Sequence, residues 1–88
     1  MMAITQDEAA MEEILAQLTP VFRDVLDNRT LVLTPETTAR DVEGWDSFTH
    51  TRLIAAVEDR YAISFGLKEI LGFRNVGEIC RAVLRSAR

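Results

Sequence analysis

The sequence predicts an all-α domain, a four-helix bundle of three main helices and a short third one. Two observations carry this. Apolar residues recur at three- and four-residue spacing in three long stretches, and no stretch alternates convincingly with period two. A long segment punctuated by Asn28, Thr30, Thr34, Pro35, Thr37, Thr38 and Gly44 separates the first stretch from the second. A connection of that length is expected where the chain must cross from one end of a helical bundle to the other.

The first helix is expected from about Thr5 to Asp27. Met11, Ile14, Leu15, Leu18, Phe22, Val25 and Leu26 make one apolar stripe. Pro20 interrupts it, because its ring nitrogen has no hydrogen to donate to the Ala16 carbonyl. The stripe stays in phase across Pro20. That favours a kinked helix over a second helix capped by Thr19 with Pro20 at its first position. In the connection, Leu31, Leu33 and Val42 are isolated apolar anchors.

The second helix is expected from Ser47 to about Tyr61. Leu53, Ile54, Val57 and Tyr61 form its buried stripe, with Phe48 and Ala56 beside it. A short element at 66–71 follows, with Leu67, Ile70 and Leu71 expected to face inward. The last helix is expected from Asn75. Asn75 and Glu78 have the spacing of a capping box, and Val76, Ile79, Cys80, Val83 and Leu84 make the stripe.

The chain has 88 residues, which favours one domain over 1–88, with an ordered core over about 5–86. It is 48% hydrophobic and 27% charged, a composition that supports one modest core. The net charge of −4 disfavours nucleic acid and anionic membrane surfaces as partners and favours basic proteins. The charge is uneven. Residues 1–19 and 41–59 are acidic, whereas 74–88 carry Arg74, Arg81, Arg85 and Arg88.

A single cysteine, Cys80, excludes an internal disulfide and a thiol-built zinc cluster. It lies on an apolar stripe and is expected to be a buried small hydrophobe. No apolar run approaches a membrane span. The acidic stretch from Met1 to Glu13 has none of the features of a signal peptide. A cytoplasmic location is therefore expected.

The chemistry concentrates in Asp41-Val42-Glu43-Gly44-Trp45-Asp46-Ser47-Phe48. Gly44 permits a turn, and Asp46 and Ser47 both suit a helix N-cap. A primary hydroxyl at the exposed start of a helix is well placed to carry a phosphate ester, because backbone N–H groups and the helix dipole favour an anion there. The same dipeptide is also an ordinary cap. Trp45 is expected to shield the end of the connection against the helices. His50 is expected to be solvent-facing or partly packed, since no acid, base and nucleophile can be assembled around it. No catalytic residue and no metal ligand is expected, and the sequence has no Gly-rich phosphate loop.

Gly-Trp-Asp-Ser-Phe at 44–48, followed by a helix ending Glu58-Asp59-Arg60-Tyr61-Ala62-Ile63, resembles the acyl carrier proteins. That family carries an Asp-Ser-Leu motif at the start of its second helix, an acidic pair near that helix's end, and a long loop before it. The likeness extends from about Met11 to Leu84. It implies that a phosphopantetheinyl transferase attaches 4'-phosphopantetheine to Ser47, with Asp46 beside it in modification and recognition. The arm's thiol then holds an acyl or aminoacyl group as a thioester and presents it to loading and processing enzymes. The protein itself performs no bond chemistry.

The resemblance also implies a partner surface of Asp41, Glu43, Phe48, Glu58, Asp59 and Glu69, and a monomer is expected. Phe48 stands where the family usually has leucine, and Arg52 where it often has an acid. Phe48, Leu53, Ile54, Val57, Phe65 and Leu67 fit two readings, plain core or the lining of an acyl-chain cavity. An unmodified helical interaction module with the same fold is the alternative.

Overall fold

The computed structural model describes residues 6–86. Four α-helices follow in order: α1 (Gln6–Val25), α2 (Ser47–Tyr61), α3 (Leu67–Gly72) and α4 (Val76–Ser86). There is no strand among the described residues. The expected start of the first helix at Thr5 lies outside them.

The core sits where α1 packs against α2 and α4. Leu18 and Phe22 of α1, Leu53, Ile54 and Val57 of α2, and Val76, Ile79, Cys80 and Val83 of α4 are fully buried. Burying each larger side chain of this set contributes about 1.5–3 kcal/mol. These are the positions that helical periodicity marks in the sequence.

α1 runs unbroken through Pro20. Thr19 does not cap a new helix, because its hydroxyl donates back to the Leu15 carbonyl at 2.9 Å. Just beyond its end the chain turns at Asp27, which has φ 52°. Asn28 N–H bonds the Arg23 carbonyl at 2.9 Å and Asp27 N–H the Asp24 carbonyl at 3.3 Å, which is the Schellman pattern.

The connection from α1 to α2 is more ordered than its sequence suggests. Leu33 and Val42 are buried anchors, and Ala39–Asp41 form a single 3-10 turn. Its other task is to cap α4. Val76 N–H donates to the Thr37 carbonyl at 2.9 Å and Gly77 N–H to the Pro35 carbonyl at 2.8 Å. The Asn75 side chain accepts from Glu78 N–H at 2.9 Å, as its position in the sequence predicts. The reciprocal bond differs from the expected box: the Glu78 carboxylate takes Arg74 N–H, one residue further back, at 2.7 Å.

Three apolar residues expected to be packed are not. Phe48, Leu67 and Leu71 are each more than 70% exposed. Phe48 lies in the first turn of α2, off its buried face. α3 is only six residues long and buries none of them fully; of the three residues expected to face inward, Ile70 alone packs against the core.

Candidate functional site

The segment before α2 alternates between turning, burying and exposing. Gly44 has φ +87°, a conformation that L side chains rarely adopt. This turn directs Trp45 inward, where it is 7% exposed and meets the Phe22 ring edge to face at 5.2 Å. The chain then returns to the surface. Asp46 is the N-cap of α2, and its carboxylate accepts from Thr49 N–H at 3.0 Å.

Thr49 completes the box from the other side. Its hydroxyl oxygen accepts Asp46 N–H at 2.8 Å and its hydroxyl donates to the Gly44 carbonyl at 2.7 Å. The Thr49 amide thus favours the charged Asp46 carboxylate and holds its pKa below the usual carboxylate value.

Ser47 is the first residue of α2 and is exposed. Its carbonyl accepts from the Thr51 hydroxyl at 3.1 Å, while its own hydroxyl bonds no described residue. Esterifying that oxygen would break no hydrogen bond to a described residue. The dipole of α2 favours an anion at this end, where the Asp46 carboxylate already takes the Thr49 N–H.

Ser47 also lines a groove of about 560 Å³ between α2 and α3. Trp45, Ile54, Ala55, Ile70 and Leu71 give it a mainly apolar surface, and Asp46, His50 and Glu58 contribute polar atoms. Of the residues offered for an acyl-chain cavity, Ile54 and Leu67 line this groove. Leu53, Val57 and Phe65 are core, and Phe48 stands in solvent.

The acidic residues of the anticipated partner surface have different surroundings. Glu43 and Asp59 are exposed. Asp41 is exposed too, but its carboxylate accepts from Thr38 N–H at 2.9 Å and closes the 3-10 turn. Glu58 is half-buried and accepts Phe65 N–H at 2.8 Å, which fixes the link from α2 to α3. Glu69 pairs with Arg85 of α4 at 3.0 Å.

Sequence reasoning missed the contacts of His50. Its Nδ1 receives the Trp45 indole N–H at 3.1 Å, and its Nε2 lies 3.0 Å from the Ile70 carbonyl. The spacing of Ser47, Thr51, Ile54 and Glu58 along one face of α2 was the available signal for the groove. Nothing in the sequence signalled that His50 would bridge Trp45 and α3 across it.

Cys80, by contrast, is buried where expected. Burial raises its pKa to about 11, so its thiol is inert at neutral pH. No group of three or more His, Cys, Asp or Glu among the described residues could hold a metal, and none of their helices is long and apolar enough to cross a membrane.

Comparison with known proteins agrees with this geometry. Residues 16–83 match the phosphopantetheine attachment site family. The solution structure of holo acyl carrier protein from Geobacter metallireducens superposes with a TM-score of 0.77 at 43% identity, covering 82% of this chain and 83% of that one. No curated protein matches the chain. With a family match over most of its length and an acyl carrier protein fold, the chain belongs to the phosphopantetheine attachment family, whose members are carriers.

Proposed function

We propose that this protein carries acyl or aminoacyl intermediates as thioesters on a phosphopantetheine arm attached to Ser47, and presents them to biosynthetic enzymes. The observation that carries the reading is the placement of Ser47. A free hydroxyl stands at the exposed first position of α2, beside an apolar groove, in a chain of the phosphopantetheine attachment family.

When bound, the arm supplies a thiol whose thioester keeps the acyl carbon electrophilic, and its reach raises the local concentration of cargo at each partner's active site. The residues of this chain do the rest. Asp46 and Thr49 fix the turn so that the Ser47 hydroxyl is offered at a rigid helix start. Ala55, Leu67 and Leu71 offer apolar surface to the cargo end of the arm. Glu43 and Asp59 leave negative charge exposed for a basic partner.

The test is intact mass before and after incubation with a broad-specificity phosphopantetheinyl transferase and coenzyme A, with Ser47→Ala as control. One added arm that is absent from Ser47→Ala is the expected result. No adduct, under conditions that modify a known carrier, would make an unmodified interaction module the better account.

A further inference from the structure

α3 is the least anchored wall of the groove. Six residues are too few for a helix to hold itself in water, and none of the six is fully buried. Its neighbours tie it down instead. Glu58 accepts Phe65 N–H just ahead of it at 2.8 Å. The Phe65 and Phe73 rings, one on either side of it in the chain, meet edge to face at 5.5 Å. Its ion pair with Arg85 is open to solvent on both sides and contributes little. Within α3, the Ile70 side chain packs against the core, and the Ile70 carbonyl is held by His50.

The geometry at His50 selects one tautomer. An indole N–H only donates, and Trp45 directs its own at Nδ1 from 3.1 Å. Nδ1 must therefore be the accepting nitrogen, and the proton of the neutral ring sits on Nε2. From there it donates to the Ile70 carbonyl at 3.0 Å.

That carbonyl needs a donor. In a longer helix its partner would be Arg74 N–H, but this amide is bound to the Glu78 carboxylate at 2.7 Å. The imidazole satisfies the carbonyl in its place. The two rings are nearly parallel, 18° apart with centroids 6.0 Å apart, as the in-plane hydrogen bond requires, and Trp45 is itself buried against Phe22. His50 thus links α3 to the core through the residue two positions before Ser47.

We propose that His50, neutral and protonated on Nε2, is the positioning residue that holds α3 closed over the groove, and thereby sets how firmly the groove retains an apolar cargo segment. The statement about cargo rests on the carrier reading; the statement about α3 stands without it. Both ring nitrogens are needed, so a ring of similar shape without them does not substitute.

Hydrogen exchange and nitrogen NMR on the unmodified protein and on His50→Phe test this. The wild-type ring should show an unprotonated Nδ1 and a protonated Nε2. In His50→Phe, exchange of the Ile70 amide, which bonds the Gly66 carbonyl at 3.0 Å, should quicken by about tenfold, while Val83 in the core of α4 changes by less than about twofold. The opposite tautomer, unchanged exchange at Ile70, or equal acceleration at both amides would overturn the proposal.

A second arm uses both proteins loaded from octanoyl-coenzyme A by the transferase. Side-chain shifts at Ile54 and Leu71 on loading should be smaller in His50→Phe. Equal shifts in both proteins would overturn the cargo statement. Failure of the wild type to load would overturn the carrier reading, and the exchange experiment would still decide the role of His50.

Discussion

Individual residues around Ser47 divide a small number of polar atoms among several tasks. Asp46 is both the cap of α2 and the acidic neighbour of Ser47, the proposed attachment position. Its lowered pKa means that the cap's contribution is full above the ordinary carboxylate value near 3.8 and is lost as pH falls through the lower, folded value. Asp46→Ala should lower the thermal midpoint at neutral pH, and Asp46→Asn, which keeps a good cap, should restore most of it. If Asp46→Asn also keeps its fold yet is modified slowly by the transferase, the carboxylate acts in recognition as well as in capping.

Cys80 gives a second prediction at this scale. Its thiol is buried and its pKa is raised to about 11. In native conditions a thiol reagent should find no fast-reacting group in the unmodified protein and one in the phosphopantetheine form. A fast-reacting thiol before modification would show that α4 opens far more readily than its packing implies. Gly77 is a third case. A Cβ there would lie 2.9 Å from the Pro35 carbonyl oxygen, against backbone that is bound to Gly77 itself. Overpacking of this kind costs about 1–3 kcal/mol and outweighs the gain in helix propensity of up to about 1 kcal/mol. Gly77→Ala should therefore lower the urea midpoint.

At the scale of elements, the ends of the helices decide how the chain turns. α2 stops at Ala62, which adopts φ 54° and ψ 46°, while its N–H bonds the Glu58 carbonyl. A left-handed conformation costs an alanine about 1–2 kcal/mol, and glycine adopts it freely at the expense of about 0.4–1 kcal/mol of unfolded-state entropy. The difference favours glycine. Ala62→Gly should stabilise the protein by roughly 0.5–1 kcal/mol, raising the thermal midpoint by a few degrees. A fall in the midpoint would mean that the left-handed turn is not what ends α2.

α3 is the element on which sequence reasoning failed most instructively. Leu67 and Leu71 are four residues apart, which reads as an inward stripe. No element packs over them, and both stand more than 70% exposed at the groove. Periodicity reports that a helix has an apolar face. It does not report whether that face meets a core or lines a cleft.

For the whole molecule, the raised pKa values of Cys80 and Tyr61 both come first from burial. Each group is neutral in the fold and ionises more easily when unfolded. Their contribution is full below the unfolded values and is lost as pH rises through the folded ones. The urea midpoint should therefore fall between about pH 9 and 11. Cys80→Val should flatten that fall and leave the share due to Tyr61. An unchanged slope would place the loss elsewhere.

Charge also acts on this scale. Glu43 and Asp59 are exposed on and beside α2, whereas Arg81 and Arg85 lie on α4. With the proposed function, association with a basic transferase should slow as salt shortens the Debye length to roughly 8–10 Å. Glu43→Gln with Asp59→Asn should reduce the association rate by several-fold and weaken its salt dependence. A rate unaffected by either change would remove these acids from the partner surface.

The sequence by itself determined the helices, the stripe residues that meet in the core, the buried Trp45 and Cys80, and the family-like motif around Ser47. These follow from local rules: a period of 3.6, caps at helix starts, and a glycine where the backbone turns with positive φ. The tertiary structure decided what depends on residues far apart in the chain. It set the connection's carbonyls onto the start of α4 and turned Glu58 and Glu69 from free acids into ties on α3. It also left a groove rather than a packed seam beside Ser47 and placed His50 between Trp45 and Ile70. A hydrogen-bonding group records in the sequence only that it needs a partner, and which partner lies within 3 Å is settled when the helices pack.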